Sequence, residues 1–439
     1  MATTPTTNHQ PPTTVAAPAT IRWHLRWLFW STLACLAFLP ALLFIAWRVL
    51  VRRRPVAGLW AKMSGCGPAV APGQVLVHGV SLGEVNLMRP LVPGLEAASG
   101  TRCLLTTSTT TGWEGLAKAF PERDRTFFPL DLPWAVGHFL RRTRPRAVIL
   151  LESELWPVWL CACHARGIPV AGVNVRVSDR TFARLRRVRW LIAPFFAARA
   201  VSVAQNDAYA ARLAILGALR IAVSGSMKAD MVRLPEPCAV AAWIAQVGLD
   251  PTRPLLLLAS TSDGEEATVL GRDLTAWQGW QIAICPRHPE RGAAIAAFVA
   301  NAKRTSLGER ITTPNDVLIV DEIGRLGLLY AHAATSAGIA VVGGSLGSGR
   351  GGQNMLEAAA AGCATAVGWD VRSQPDPMAL LRGVGGVVEL TPSGLANELA
   401  ALAADPARRA ALGHAGRQAW IQGQGATART MEQLRGFLD

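Results

Sequence analysis

From residue 55 onward the chain alternates between two kinds of segment. Short, almost wholly apolar runs are separated by longer stretches in which apolar residues recur at helical spacing. The first series of runs is Gln74–Val80, Cys103–Thr106, Thr126–Leu130, Ala147–Leu151, Val170–Asn174, Ala200–Ala204 and Ile221–Ser224. A proline-containing segment, "RLPEPCAV", breaks the rhythm. A second series follows at Leu255–Ala259, Gln281–Cys285, Val317–Val320, Ile339–Val342, Ala364–Val367 and Gly386–Leu390. Continuous apolar strands alternating with helices predict parallel sheets covered on both faces. The fold class expected is therefore α/β, with two such domains, 55–235 and 236–439, facing a cleft. Ligands in this architecture sit beyond the carboxyl ends of the strands, so residues just after the runs are the first candidates for chemistry.

The N-terminal pattern is different. Residues 1–20, "MATTPTTNHQPPTTVAAPAT", carry no charged side chain and are rich in Thr and Pro, a composition that predicts a disordered tail. Residues 21–54 read as a membrane anchor. From Trp27 to Trp47 there is no charge, a length close to the ~20 apolar residues that cross a bilayer. Trp27, Trp30 and Trp47 lie near its ends, and Arg52, Arg53 and Arg54 follow against Arg22 and Arg26 before it. That bias predicts a single span with the bulk of the chain in the cytoplasm. The run is too long for a cleaved signal peptide, and no small-residue cleavage site follows it.

Half the residues are hydrophobic and only 17% are charged, so a large core is available. The net charge is +14 and arginine supplies nearly all of it, since lysine occurs only at Lys62, Lys118, Lys228 and Lys303. A basic balance suggests an anionic partner: a phosphorylated metabolite, an acidic membrane surface or nucleic acid. With no RNA-binding signature and no zinc-finger spacing, nucleic acid is not expected. The eight cysteines are scattered; Cys161-Ala162-Cys163-His164 has no second pair at ligand spacing and reads as buried thiols. No Asp-x-Asp occurs, so no metal site is expected.

Several strand ends carry reactive groups. Glu84, in "VLVHGVSLGEVN", opens a helical stretch, where it either meets the helix dipole or serves as a general base. "VILLESELWPVWL" ends a strand with Glu152 and Glu154, two acids that need partners if buried, an arginine of "RLRRVR" being one source. Lys228 follows another strand in "VSGSMKAD". In the second domain, Ser260 and Thr261 in "LLLLASTSDGEE" offer hydroxyls, and Arg287 and His288 in "ICPRHPERG" offer donors to a phosphate or base. "VVGGSLGSGRGGQNMLEAAAAG" runs from a strand through six glycines into a helix, a pattern that lets backbone N–H groups approach a phosphate. It is neither a Walker A loop nor a dinucleotide fingerprint in its usual place. Asn354 and Glu357, three apart, either cap that helix or present a carboxylate to the two hydroxyls of a ribose.

Taken in order, "HGVSLGEVN", "TTSTTTGWEG", "FFPLDLPWAV", "LESELWP", "GIPVAGVNVRVSDR", "GSMKAD", "ASTSDGEE", "PRHPERG", "VVGGSL" and "RGGQNMLEAAA" resemble the 3-deoxy-D-manno-octulosonic acid (Kdo) transferase family of lipopolysaccharide assembly. The resemblance runs from about Arg22 to near the C-terminus. It implies an N-terminal membrane anchor and a GT-B glycosyltransferase fold of two Rossmann-like domains, the first binding the acceptor and the second the CMP-sugar. It implies transfer of Kdo from CMP-Kdo to a lipid A precursor with inversion, without a further cofactor. Glu84 would be the proton acceptor, and Glu152 and Lys228 would stabilise the transition state. CMP would be held by Pro286 and Arg287, by Ile323, Gly324 and Arg325, and by Asn354, Met355, Leu356 and Glu357. The chain departs from the family pattern at Gln353, usually His, at Arg325, usually acidic, and at Thr110, usually Pro. Those departures leave room for a GT-B transferase using a UDP-sugar on a lipid-linked acceptor, or for a catalytically silent nucleotide-binding homologue anchored to the membrane.

Overall fold

The structure, a computed structural model, describes residues 18–50, 57–67, 70–271 and 277–438. The described chain forms two compact units: one from residues up to Met227 together with the segment from Gly425, the other from Lys228 to Gln424. The first contains β1 (Val75–His78), β2 (Cys103–Thr107), β3 (Arg125–Phe127), β4 (Ala147–Leu151), β5 (Val170–Val175), β6 (Val201–Ala204) and β7 (Ile221–Val223). The second contains β8 (Leu255–Thr261), β9 (Gln281–Pro286), β10 (Ala302–Arg304), β11 (Val317–Ile319), β12 (Ile339–Val342), β13 (Ala364–Val367) and β14 (Val388–Glu389).

Each unit holds one wholly parallel sheet, in the orders β3-β2-β1-β4-β5-β6-β7 and β10-β11-β9-β8-β12-β13-β14. In both, the first strand lies inside the sheet and the order reverses beside it, so the chain winds outward in two directions. β1, β2, β4 and β5 are buried along their whole length, which is why they read as unbroken apolar runs. Helices between them close both faces: Leu76, Phe128, Phe139, Val148 and Trp159 belong to one core. In the second unit Leu257, Ala283 and Leu318 face one core, and Leu256, Ile282 and Ile319 face the other. The alternation follows from side chains pointing to opposite faces along a strand.

Every predicted apolar run contains a strand. β10, "AKR", was missed because it is a short edge strand without an apolar residue beyond Ala302. It pairs only with β11, and its Arg304 is bound to the buried Asp321 carboxylate at the carboxyl end of that strand.

The tail at 1–20 lies outside the described residues apart from Pro18, Ala19 and Thr20, which begin a helix. That helix runs Pro18–Leu50, yet among the described residues no helix is long and apolar enough to cross a membrane. The span expected within 21–54 is therefore not shown, and its residues 51–54 lie outside the described residues. The helix docks on the first unit. Trp23, Trp30 and Ala34 pack against the core, and Trp23 and Trp30 meet Phe195 at ring distances of 5.7 and 5.9 Å. Trp23 also stacks on His164 at 4.1 Å, and Phe38 meets Trp134 at 5.8 Å. The other flank, with Leu25, Leu28, Phe29, Leu36, Leu39 and Leu43, is exposed. A helix apolar all round has the sequence of a span, but here one apolar stripe is satisfied by protein.

The sequence-based division at 235/236 placed the C-terminus in the second domain. The helix Ala426–Leu438 instead packs with the first unit, against the helix Leu82–Ser99, β5 and β6. Thr430 donates to the Ser224 hydroxyl at 3.0 Å, Arg429 to the Ser224 carbonyl at 2.7 Å, and Leu434 is fully buried. Leu434→Ala should therefore destabilise the first unit by about 2–4 kcal/mol, as for other buried Leu→Ala changes. Hydrogen exchange in β5 and β6 measures this; unchanged protection there would contradict the packing.

Candidate functional site

In the first unit the candidate residues gather where β1 and β4 end. After His78 the chain turns through Gly79, Val80 and Ser81 into the helix Leu82–Ser99, with Ser81 as N-cap and Glu84 in the first turn. Glu84 accepts from the Val80 N–H at 2.5 Å and from the Ser81 hydroxyl at 3.0 Å. The helix-terminus reading is thus realised in part. The turn allows it because residue 79 is glycine: a Cβ there would stand 2.8 Å from the Glu84 Cβ. The Val80 peptide is itself braced. Its carbonyl accepts from the hydroxyls of Thr107 and Thr109, each at 3.0 Å, and from the N–H groups of Ser108 and Thr109. The "TTSTTTG" stretch therefore fixes the chain on the carbonyl side of Val80, next to the N–H that Glu84 takes.

Glu84 is half-buried, and its carboxyl is pushed up from 4.5 to about 7. Burial is the main cause, and the charges of Glu152 and Glu154 add to it against the two hydrogen bonds. The structure thus brings Glu84, Glu152 and Glu154 within electrostatic reach. The strand ends at Leu151, and Glu152, just after it, has φ 58°, a left-handed conformation uncommon for a side-chain-bearing residue. Such conformations concentrate at functional sites. Burial raises the Glu154 carboxyl as well. Its backbone carbonyl accepts from the buried Arg199 at 2.5 Å, and burial lowers that guanidinium to about 10. Among the described residues, neither acid forms an ion pair with an arginine of the 184–189 stretch.

Two neighbours were not foreseen. His78 is fully buried, stacked on Phe128 at 3.8 Å, and burial lowers it to about 3, so it stays neutral under the turn. Asp131, in "FFPLDLPW", accepts from the N–H groups of Val158 and Trp159 and so caps the helix that follows Glu154. Burial raises its carboxyl to about 6. Both fix the floor of the site rather than face solvent.

In the second unit a cavity of about 450 Å³ opens at the carboxyl ends of β8, β9 and β11. Pro286, Arg287, Ile323, Gly324 and Glu357 line it, with Ser260 and Tyr330. Gly324, at φ 90°, permits the turn between β11 and the helix Leu326–Thr335, leaving Ile323 exposed. Ser260 has φ 53° at a register shift in β8. Glu357 accepts from the Asn354 side-chain amide at 3.0 Å, while the Asn354 oxygen accepts from the Leu356 N–H at 3.1 Å. Asn354 thus both caps the helix Leu356–Ala361 and orients the carboxylate. Burial raises the Glu357 carboxyl, with Asn354 and Arg287 opposing.

The remaining candidates lie elsewhere. Met355 and Leu356 are buried core residues. Arg325 does not line the cavity; its guanidinium stands 3.9 Å from Glu322. His288 lies outside the lining, beside Glu290. Lys228 opens the second unit, half-buried, immediately before a short turn at Ala229–Met231.

The glycine-rich segment is organised differently from the expected phosphate cradle. Buried Glu265 accepts from the N–H groups of Gly344, Leu346 and Ser262 at 2.7–2.8 Å. A Cβ on Gly343 would stand 2.7 Å from the same carboxylate. Two loop amides are therefore committed to a protein carboxylate. Glu266, also buried, takes the Thr261 hydroxyl and both terminal nitrogens of Arg291. This pairing ties "ASTSDGEE" to "PRHPERG" and fixes the cavity wall. Two adjacent acids facing a glycine-rich segment were the available signal, but the hydroxyls beside them drew the assignment.

Residues 54–231 match a family profile described as 3-Deoxy-D-manno-octulosonic-acid transferase (kdotransferase). A 3-deoxy-D-manno-octulosonic acid transferase of Bordetella pertussis is 35% identical over 93% of this chain and 98% of its own length. That of Haemophilus influenzae is 28% identical over 86% and 89%. Among solved structures, MurG of Acinetobacter baumannii is 13% identical and covers 83% of this chain and 100% of its own, with a TM-score of 0.52. A UDP-N-acetylglucosamine 2-epimerase of Listeria monocytogenes, described as putative, is 12% identical over 80% and 95%, with a TM-score of 0.51. These structures share the α/β, GT-B-like fold with two parallel sheets. The chain is a glycosyltransferase and belongs to the 3-deoxy-D-manno-octulosonic acid transferase family.

Proposed function

We propose that the protein transfers Kdo from CMP-Kdo to a lipid A precursor with inversion of the anomeric centre, releasing CMP. The observation that carries this reading is the Glu84 carboxyl, fixed by two hydrogen bonds at the carboxyl end of β1 and raised to about 7. A sugar hydroxyl is a poor nucleophile, and a positioned base with an affinity for protons near the working pH assists it by roughly 10²–10⁴-fold. The hydroxyl oxygen forms its bond to the anomeric carbon opposite the phosphate. The carbon–oxygen bond to phosphate breaks, its electron pair leaves on CMP, and the hydroxyl proton passes to Glu84. Glu152 acts beside it, its charge keeping the proton affinity of Glu84 high. Lys228 supplies positive charge to the Kdo carboxylate or the departing phosphate.

For the donor, the cavity lined by Pro286, Arg287, Ile323, Gly324 and Glu357 is of a size and chemistry suited to a nucleotide. Glu357, oriented by Asn354, would accept from the ribose hydroxyls, and Arg287 would meet the phosphate. Met355 and Leu356 hold that helix to the core, and Arg325 acts on the cavity through Glu322. The helix Pro18–Leu50, with its exposed apolar flank, would hold the protein at the inner membrane, with the bulk of the chain on the cytoplasmic side and arginines meeting anionic headgroups.

The test is incubation with CMP-Kdo and a tetraacylated lipid A precursor, with the product weighed by mass spectrometry. Glu84→Gln should keep CMP binding, and CMP should bind better than UDP, while turnover falls at least a hundredfold. Unchanged turnover in this variant would remove Glu84 from the mechanism. A second measurement separates a strained base from a simple helix cap. Because the folded carboxyl holds its proton more tightly than the unfolded one, its burial costs nothing below about pH 4.5. The cost builds as pH rises from about 4.5, where the unfolded carboxyl ionises, and is complete above about 7, where the desolvated carboxylate must be kept. Glu84→Gln should therefore gain stability over the parent between pH 4 and pH 8, by roughly 2 kcal/mol after solvent screening. Denaturant unfolding at the two pH values measures this, and a loss at pH 8 would mark Glu84 as a cap alone.

A further inference from the structure

A groove of about 360 Å³ separates the helix Pro18–Leu50 from the first unit, where the two do not close against each other. It is lined by Trp23, Trp27, Gly137, Ala162, Ala165 and Arg166, among others, and no carboxylate lines it. Its walls come from the helices Pro133–Thr143 and Pro157–Ala165. Small residues create the space: a Cβ on Gly137 would meet nothing nearer than the Arg141 guanidinium at 4.0 Å.

The surroundings are cationic. Arg166 is exposed at the end of its helix, with one guanidinium nitrogen on the Ala162 carbonyl at 3.0 Å. Arg26 stands over the Trp23 ring at 5.3 Å and is close enough to act electrostatically on both Cys161 and His164. An apolar slot with arginines beside it fits an acyl chain joined to a phosphate. Continuous with the slot is the exposed flank of the N-terminal helix, where Leu25 and Leu28 are 63% and 58% exposed.

Topology says which lipid. The helix Pro157–Ala165 starts at the carboxyl end of β4 and returns toward the amino end of β5, and the groove lies along its Cys161–Arg166 half. Glu84 stands at the carboxyl end of β1, so this half of the groove, with Arg166, lies toward the opposite edge of the sheet, while Pro133 lines the groove at the start of its own helix. A phosphate held on Arg166 is thus turned away from Glu84, which favours a lipid other than the one presenting its hydroxyl there.

We propose that this groove binds one acyl chain of an anionic glycerophospholipid, with the lipid phosphate on Arg166 and Arg26, wedged between the N-terminal helix and the first unit. The proposal rests on the membrane association in the reading above, and the experiment separates the two. The full chain, purified in detergent, is titrated with phosphatidylglycerol and examined by native mass spectrometry, while vesicle flotation and turnover are measured in parallel. One phosphatidylglycerol should survive activation that strips the rest. Gly137→Leu, which fills the slot, and Ala165→Leu, at an exposed wall position, should each cut that adduct at least tenfold. Flotation and turnover should stay as in the parent. Flotation without a retained lipid, or an adduct undiminished in both variants, would overturn the groove while leaving membrane association intact. Loss of flotation by the parent chain would instead overturn the association, and the groove with it.

Discussion

The site in the first unit depends on one constraint: a carboxylate held in a half-buried turn with too little polar compensation. Glu84 receives one backbone N–H and one hydroxyl, yet two further acids stand in its field and water is partly excluded. Left free, the turn would relax and hydrate the carboxylate. It cannot, because Gly79 lets the helix approach, and four donors from residues 107–109 lock the Val80 carbonyl. His78 on Phe128 below and Asp131 on the next helix end make the floor rigid. The strain is held locally and offset by the apolar core packed on the sheet.

Acids do a different job in the second unit. Glu265 and Glu266 are more deeply buried than Glu84, but each is fully engaged, one by loop amides and the other by Arg291. Saturated in this way, they act as structural ties. Glu357 lies between these cases, with one oxygen on Asn354 and the carboxyl group facing the cavity. The degree of satisfaction, more than burial, distinguishes an acid that shapes a wall from one available to a substrate.

This distinction explains what was legible in the sequence. Apolar runs gave thirteen of the strands because parallel strands buried on both faces admit little else, and β10 escaped because an edge strand is released from that demand. Glu84 and Glu152 could be named because they follow strand ends, and Glu357 because it stands three residues from Asn354 where a helix begins. The glycine-rich loop was read as an anion cradle, since sequence shows that amides are available but not which group takes them; Glu265 lies some eighty residues away along the chain. The contacts of the N-terminal helix escaped for the same reason. Hydropathy records that Trp23 and Trp30 are apolar, not that Phe195 and His164 are waiting for them. The return of the last helix to the first unit likewise rests on contacts between distant residues, Thr430 with Ser224 among them.

The most direct test follows the Glu84 carboxyl itself. With glutamate side-chain carboxyl carbons isotopically labelled and the signal assigned through Glu84→Gln, nuclear magnetic resonance gives its titration in the folded protein. The account predicts a midpoint near 7 that drops when Glu152 is changed to Gln, since burial and that neighbour's charge both raise it. A midpoint near the ordinary 4.5, unmoved by Glu152→Gln, would contradict it.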